Sequence, residues 1–189
     1  MKRELITQEF KNKLEDYINK QHTTEEYVSY IKELTGIEFA KDSPLYDFYV
    51  APASTKFHGA YEHGLVQHSL AVYYSALKLA RSFGIEHEDV DENACIFHDL
   101  VKAGLYLPGI RGYTYNTNQV ILPHGSESLL RIKEYNIPIK SRAWEMAVVY
   151  HMGAFEHENI EMFSRACDQY KEVLFLHTAD MMATKIYKH

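Results

Sequence analysis

The sequence has few cysteines, no excess of positive charge and no long apolar run. Only two cysteines occur in 189 residues, Cys95 and Cys167, and each sits in a helix-like segment rather than in a paired motif. A disulfide scaffold and a zinc finger are therefore disfavoured, and reduced thiols are expected. The N-terminal stretch MKRELITQEFKNKLEDY has no apolar core of signal-peptide length, and no window approaches the ~20 apolar residues of a membrane span. We expect a soluble, cytoplasmic protein.

The net charge and the length of the chain limit the expected partners and the number of domains. The formal net charge is −6, whereas binding to duplex DNA or to anionic membranes needs a basic surface. Neither is an expected partner, although a local basic cleft remains compatible with this charge. A chain of 189 residues that is 46% hydrophobic is enough for one core, so a single domain over residues 1–189 is predicted.

Helical spacing of apolar residues dominates the chain and predicts an all-α fold. The predicted helices cover roughly Ile6–Lys20, Thr23–Gly36, Gly64–Phe83, Asp89–Gly104, Ser126–Tyr135, Ile139–His151 and Arg165–Tyr187. The first two form an N-terminal pair within residues 1–36. Residues 37–63 are predicted to be a connecting loop around Pro44 and Pro52, and YLPGIRGYTYNTNQVILP a loop or a short hairpin.

Several polar residues fall where these helices should face the core. His68 lies within an apolar stripe of the Gly64–Phe83 helix, His151 ends the stripe of Trp144 and Val148, and Asp180 lies among apolar residues of the last helix. A buried aspartate without a partner is costly, so an ion pair, a helix cap or a metal is expected beside it.

The stretch FHDLVKAG adds a histidine and an aspartate in an apolar run. Taken singly, each inward histidine is more often a hydrogen-bonded core residue than a metal ligand. Together the set favours one metal site, because separate burials would need several separate polar partners. The residues of this set are His68, His98, Asp99, His151 and Asp180. Lys102 follows one turn after His98 and could contact an anionic substrate, or it could be a solvated surface lysine.

Five motifs occur along the chain in a fixed order: FHGAYEHGLVQH, FHDLVKAG, LPHG, VYHMG and LHTAD. This order resembles that of the HD-domain metal-dependent phosphohydrolases, most closely the HD domain of bacterial 3′-5′ exoribonucleases and related phosphodiesterases. The likeness covers Phe57 to Tyr187. It implies an HD-domain helical bundle with a metal-binding core over residues 57–187 and two extra N-terminal helices. The ligands that it implies are His68, His98, Asp99, His124, His151 and Asp180.

The mixed histidine and carboxylate set suits Mn, Fe, Co, Ni or Zn better than Mg or Ca. The resemblance implies two such ions, which would activate a water for phosphoester hydrolysis. Asp99 would bridge the ions as a catalytic residue, while Lys102 and Arg111 would stabilise negative charge on the substrate. His58 and His63 could contact the substrate or transfer a proton, or they could be loop histidines without that role.

The substrate that the resemblance leads us to expect is a nucleotide or a short single-stranded oligonucleotide. Two tyrosines in GYTYNTN could stack on its base. Those tyrosines could equally pack at a loop edge. The alternative is an HD-fold module that binds a nucleotide or a partner around a structural metal without turnover. Val101 favours it, because family members often carry glycine there. A plain helical scaffold without metal is a third possibility.

Overall fold

A computed structural model describes residues 7–56, 59–110, 112–155 and 160–186. These residues form eight α-helices and one two-stranded hairpin. In chain order the elements are α1 (Gln8–Asn19), α2 (Thr24–Thr35), α3 (Gly64–Leu79), α4 (Glu92–Phe97), β1 (Tyr106–Gly109), β2 (Gly112–Tyr115), α5 (His124–Glu134), α6 (Arg142–Tyr150), α7 (Ile160–Gln169) and α8 (Lys171–Lys185). The predicted all-α class is confirmed at this level. None of the described helices combines the length and the apolar character that crossing a bilayer requires.

Helix α3 is the centre of the fold. It packs against α1, α4 and α8, and α8 also packs against α6. Thirteen of the 16 residues of α3 are buried, which explains why its sequence carries two apolar stripes instead of one amphipathic face. A polar side chain on this helix, such as His68, therefore lies inside the protein.

The N-terminal pair belongs to the same core. Leu14 and Ile18 of α1 and Tyr27 of α2 are fully buried in it. Helix α2 begins with a capping box between Thr23 and Glu26, as the cap-type threonines predict, and it ends at Gly36 with φ of 75°.

Residues 37–56 are more than the connecting loop that was predicted. They include a 3-10 helix, Pro44–Tyr49, whose N-cap is Ser43. Leu45, Phe48 and Tyr49 are buried in the core. Residues 57 and 58 lie outside the described part of the chain.

The prediction of one helix from Asp89 to Gly104 is wrong. Helix α4 ends at Phe97, and a 3-10 turn follows at Leu100–Lys102. The backbone of this turn bonds to α5 instead of continuing the helix: the Val101 N–H donates to Ser128 Oγ at 3.2 Å, and the carbonyl of Ala103 accepts from Arg131 at 2.7 Å. Tertiary hydrogen bonds have replaced the local helical ones.

The prediction of one helix from Arg165 to Tyr187 is also wrong. Tyr170 has an extended backbone, with φ of −137° and ψ of 104°, and separates α7 from α8. No glycine or proline marks this break. The partly buried Tyr170 packs against the hydrophobic core, so packing has overridden the local helical preference.

The tyrosine-rich segment forms the hairpin that the sequence left as one of two options. Strands β1 and β2 are antiparallel, with Tyr106 opposite Tyr115 and Leu107 opposite Thr114. The Asn116 N–H donates to the Leu105 carbonyl at 2.9 Å and extends the pairing beyond the strands.

We predict that Asp91→Ala lowers the free energy of unfolding by about 2 to 3 kcal/mol. Asp91 is 1% exposed. It caps α4 through the Ala94 N–H at 2.9 Å and accepts the Lys140 N–H at 2.5 Å, so its loss leaves two backbone donors unpaired. Urea denaturation measures the change. The control is Asp89→Ala, at an exposed position, and equal effects of the two variants would contradict the assigned role.

Candidate metal centre

Six polar side chains from five elements converge around the Asp99 carboxylate. Helix α3 provides His68, the turn after α4 provides His98 and Asp99, the start of α5 provides His124, the end of α6 provides His151, and α8 provides Asp180. Every residue that was predicted as a metal ligand therefore lies in one cluster.

The two oxygens of Asp99 face different histidines. Oδ1 lies 2.5 Å from His124 Nε2 and 3.3 Å from His151 Nε2. Oδ2 lies 3.6 Å from His68 Nε2 and 3.5 Å from His98 Nε2. One carboxylate thus stands between two pairs of imidazole nitrogens, which is the arrangement expected of a group that bridges two ions.

Asp180 completes the Oδ2 side of the cluster. Its Oδ1 lies 3.2 Å from His68 Nε2. Two overlapping sets in the described chain bring donor atoms within 4.8 Å of one another: the first is His68, His98 and Asp180, and the second is His98, Asp99 and His151. Both sets use His98, so this imidazole lies at the centre of the cluster.

His98 and His151 share one local geometry. Each follows directly after the last residue of a helix, α4 or α6, with helical φ and ψ. Each points Nδ1 back at the carbonyl three residues earlier, Cys95 O at 2.8 Å and Val148 O at 2.7 Å. A carbonyl only accepts, so Nδ1 carries the proton and donates, and in the neutral form of the ring Nε2 then has its lone pair toward the cluster. The helix ends therefore set the tautomer that a metal ligand needs.

The donor set fits a divalent transition metal. His98 Nε2 is buried and has no hydrogen-bond partner among the described residues. Its lone pair faces a carboxylate oxygen that also only accepts, so a cation is the group that would satisfy both. Two donors that each lie ~2.1 Å from one ion are about 3.0 to 3.4 Å apart at octahedral or tetrahedral angles. Two of the five separations given above, 3.2 and 3.3 Å, lie in this range, and two more, 3.5 and 3.6 Å, lie just above it.

The electrostatics keep the cluster ready to bind a cation. Burial lowers the pKa of His98 to about 3, so its imidazole is neutral. Burial raises the pKa of Asp99, but the charge of Lys102 and the hydrogen bond with His124 outweigh this effect and hold the pKa well below its usual range. The pKa of Asp180 is also lowered. Burial opposes its ionisation, but the hydrogen bond with His68 outweighs this effect. Both acids are therefore charged carboxylates.

The pKa values of two further histidines of the cluster are shifted in opposite directions. Burial lowers the pKa of His124. Burial also disfavours the charged form of His151, but its hydrogen bond with Asp99 outweighs this effect and raises the pKa.

Lys102 pairs with Asp99 and not with His98, its predicted neighbour. Its Nζ lies 2.6 Å from Asp99 Oδ2, and the lysine side chain is 14% exposed. In a 3-10 turn, side chains three residues apart lie one above the other, which brings Lys102 over Asp99. Lys102 is therefore a partly buried cation at the centre of the site, and not a solvated surface lysine.

Two supporting residues on α5 were missed from the sequence. Ser128 and Arg131, one turn apart on α5, hold the 3-10 turn after Asp99 through Val101 and Ala103. The spacing of Glu127 and Arg131, which form an i,i+4 ion pair, was the available signal, but it did not show which segment they would hold. His177 donates from Nδ1 to the His151 carbonyl at 2.6 Å, which ties α8 to the end of α6.

The other predicted contacts are less close to the cluster or lie outside the described chain. His63 is 8% exposed, bonds through Nδ1 to the Tyr49 carbonyl at 2.7 Å and packs on the Tyr27 ring. These are structural contacts at the start of α3, and a substrate contact for His63 stays a prediction. His58 and Arg111 lie outside the described residues. Val101 is fully buried.

We predict that Gly125→Ala lowers the free energy of unfolding by about 2 to 3 kcal/mol through overpacking. A Cβ at Gly125 would lie 2.5 Å from the Val148 carbonyl oxygen and closer still to that of Val149. The Val148 carbonyl orients His151, so the change also displaces this side chain. Urea denaturation measures the stability.

A matched glycine provides the control for this prediction. A Cβ at Gly109 would meet no heavy atom nearer than 3.5 Å, so Gly109→Ala should change stability by under about 1 kcal/mol. Equal stability of the two variants would show that α5 and α6 do not approach as closely as the structure indicates.

Comparisons of the chain with protein-family models, with curated proteins and with solved structures gave no match. The likeness to the HD-domain phosphohydrolases therefore depends on the order of the five motifs in the sequence. The convergence of their histidines and aspartates on Asp99 is a property of this chain's own geometry.

Proposed function

We propose that this protein is an HD-domain, metal-dependent phosphohydrolase that acts on a nucleotide or on a short single-stranded oligonucleotide. The observation that carries the proposal is the position of Asp99, whose two oxygens face two different pairs of histidines. A buried carboxylate in this position is suited to hold two ions together. The order of the ligands along the chain agrees with that of the family.

The proposed ligands form two groups that share the Asp99 carboxylate, which is a different division from the two clusters of closely spaced donors described above. His68, His98 and Asp180 would hold one ion with Asp99 Oδ2, and His124 and His151 would hold the other with Oδ1. Bound divalent ions lower the pKa of a coordinated water and neutralise phosphoryl oxygens. Mn, Fe, Co, Ni and Zn all accept this mixture of imidazole and carboxylate donors.

The protein contributes orientation and charge. The carbonyls of Cys95 and Val148 fix the rings of His98 and His151, so these ligands need no rearrangement before binding. Lys102 supplies a positive charge within reach of Asp99. With Asp99 serving as a metal ligand, the Lys102 ammonium would contact a phosphate oxygen and stabilise negative charge that develops in the transition state.

A binding module without turnover is the second candidate. Two observations favour it: Val101 is fully buried where family members often carry glycine, and Lys102 already pairs with Asp99 Oδ2 at 2.6 Å. If that pair persists, Lys102 cannot act on a substrate. This candidate predicts bound metal with no phosphate release.

We expect about two transition-metal ions per purified chain and a large loss in Asp99→Asn, because one residue serves both sets. Loss of a group that orients a ligand costs about 10- to 100-fold in metal affinity, so loss of a shared ligand should cost at least about 100-fold. Elemental analysis measures the metal, and phosphate release from mono- and diesters of nucleotides measures activity.

The control for this experiment is Asp168→Asn, an exposed aspartate of α7. Circular dichroism establishes that each variant is folded. Absence of metal after reconstitution with Mn, Fe or Zn would overturn the proposal, and metal without hydrolysis of either ester class would select the binding module.

We expect Lys102→Gln to retain metal but to lower kcat by about 100-fold, the typical cost of removing one group that stabilises transition-state charge. The comparison variant is Lys41→Gln, since the Lys41 side chain is 75% exposed. Steady-state kinetics and metal content are measured on the same samples. An unchanged kcat in Lys102→Gln would show that Lys102 pairs with Asp99 but does not act in catalysis.

A further inference from the structure

The hairpin β1–β2 lies next to the metal centre. It begins four residues after Lys102, and the Leu105 N–H donates to the Lys102 carbonyl at 3.1 Å. Burial, the adjacent Tyr115 and the negative charge of Asp99 together raise the pKa of the Tyr106 hydroxyl. The hairpin therefore begins directly after the turn in which Lys102 Nζ lies 2.6 Å from Asp99 Oδ2.

One face of the hairpin carries aromatic side chains. Residues directly opposite each other on antiparallel strands share a face, and neighbours along a strand alternate between faces. The pairs Tyr106 with Tyr115 and Pro108 with Tyr113 thus lie on one face, and Leu107 with Thr114 on the other.

Exposure singles out Tyr115 on this face. Tyr106 is 8% exposed, whereas Tyr115 is 58% exposed. Their ring centroids are 5.2 Å apart in an edge-on arrangement, so the inner ring supports the outer one. Tyr113, the other tyrosine of this face, is only partly exposed.

The base of the hairpin is held in place by hydrogen bonds. Asp47 accepts the Gly104 N–H at 2.6 Å, and Arg131 donates to the Ala103 carbonyl at 2.7 Å. On the far side, Glu127 accepts the Leu122 N–H at 3.2 Å. Since Arg131 and Glu127 also pair with each other, a single ion pair on α5 holds both ends of residues 103–122. Tyr115 therefore lies on a hairpin whose base is held by these hydrogen bonds.

We propose that Tyr115 is the base-stacking residue of the site, and that the substrate carries a purine or pyrimidine next to the phosphate bound at the metal centre. This inference rests on the proposed function for the position of the phosphate. Stacking on an exposed tyrosine accepts any base, because every base has a π face. The tyrosine face therefore selects nucleotides over sugar phosphates without selecting a base sequence.

Binding of two ligands that differ only in the base tests the proposal. Adenosine 5′-monophosphate and ribose 5-phosphate are titrated by calorimetry into the metal-loaded wild type and into Tyr115→Leu and Tyr115→Phe. We expect wild type to bind the nucleotide at least about tenfold more tightly, in line with the usual contribution of one stacked base. Tyr115→Leu should remove this preference, and Tyr115→Phe should keep it.

Two controls separate stacking from a structural effect. Leu107→Ala changes the opposite face of the hairpin, at a side chain of comparable exposure, and should leave the preference intact. Affinity for ribose 5-phosphate should be the same in all variants, whereas damage to the metal centre would lower it.

Equal affinity for both ligands in wild type would overturn the inference, as would a preference that survives in Tyr115→Leu or no binding of the nucleotide at all. Phosphate release in the same samples reports separately on the proposed function. A base preference without hydrolysis would retain Tyr115 as a stacking residue and reject the catalytic role of the site.

Discussion

The arrangement of the site depends on one buried charge, the carboxylate of Asp99. Its side chain is only 3% exposed, and a buried carboxylate is stable only if surrounding groups replace its hydration. Lys102 provides one such group at 2.6 Å and His124 another at 2.5 Å. The histidines of α3, α4 and α6 contribute polar atoms at longer range. Removal of Asp99 would leave these groups without a common partner, so the five elements that provide them are coupled through it.

The ends of two helices orient two of the histidines, His98 and His151. The last carbonyls of a helix lack intrahelical donors, and the rings of His98 and His151 donate to such carbonyls from the position just after the helix. One hydrogen bond therefore satisfies a helix end and sets a tautomer. Gly125 permits α5 to approach the Val148 carbonyl, which places His124 on the same side of Asp99 as His151. The short motifs LPHG and VYHMG thus meet in space for a packing reason as well as a chemical one.

Periodicity was sufficient to predict the part of the site that lies on long helices. His68 and Asp180 interrupt apolar stripes, and a stripe shows directly which side of a helix faces the core. The turn at Asp99 could not be predicted in this way, because hydrogen bonds from Ser128 and Arg131 end the helix there, and both residues are distant in sequence. The break at Tyr170 likewise arises from packing. His124 has no stripe, and only the resemblance to a family indicated it.

Because the net charge of the chain is −6, binding of an anion depends on the local positive charge at the site. A chain that repels anions at long range binds a phosphate best where cations are concentrated, so the affinity of the proposed site for phosphate would come from Lys102 and from ions that the cluster would hold. The Lys102 side chain is only 14% exposed, and salt screens buried pairs much less than exposed ones. Phosphate recognition at such a site is therefore less sensitive to ionic strength than binding along an extended basic surface. A base stacked on Tyr115, as proposed, would add discrimination between ligands without adding charge, which would suit a small anionic ligand better than a long polyanion.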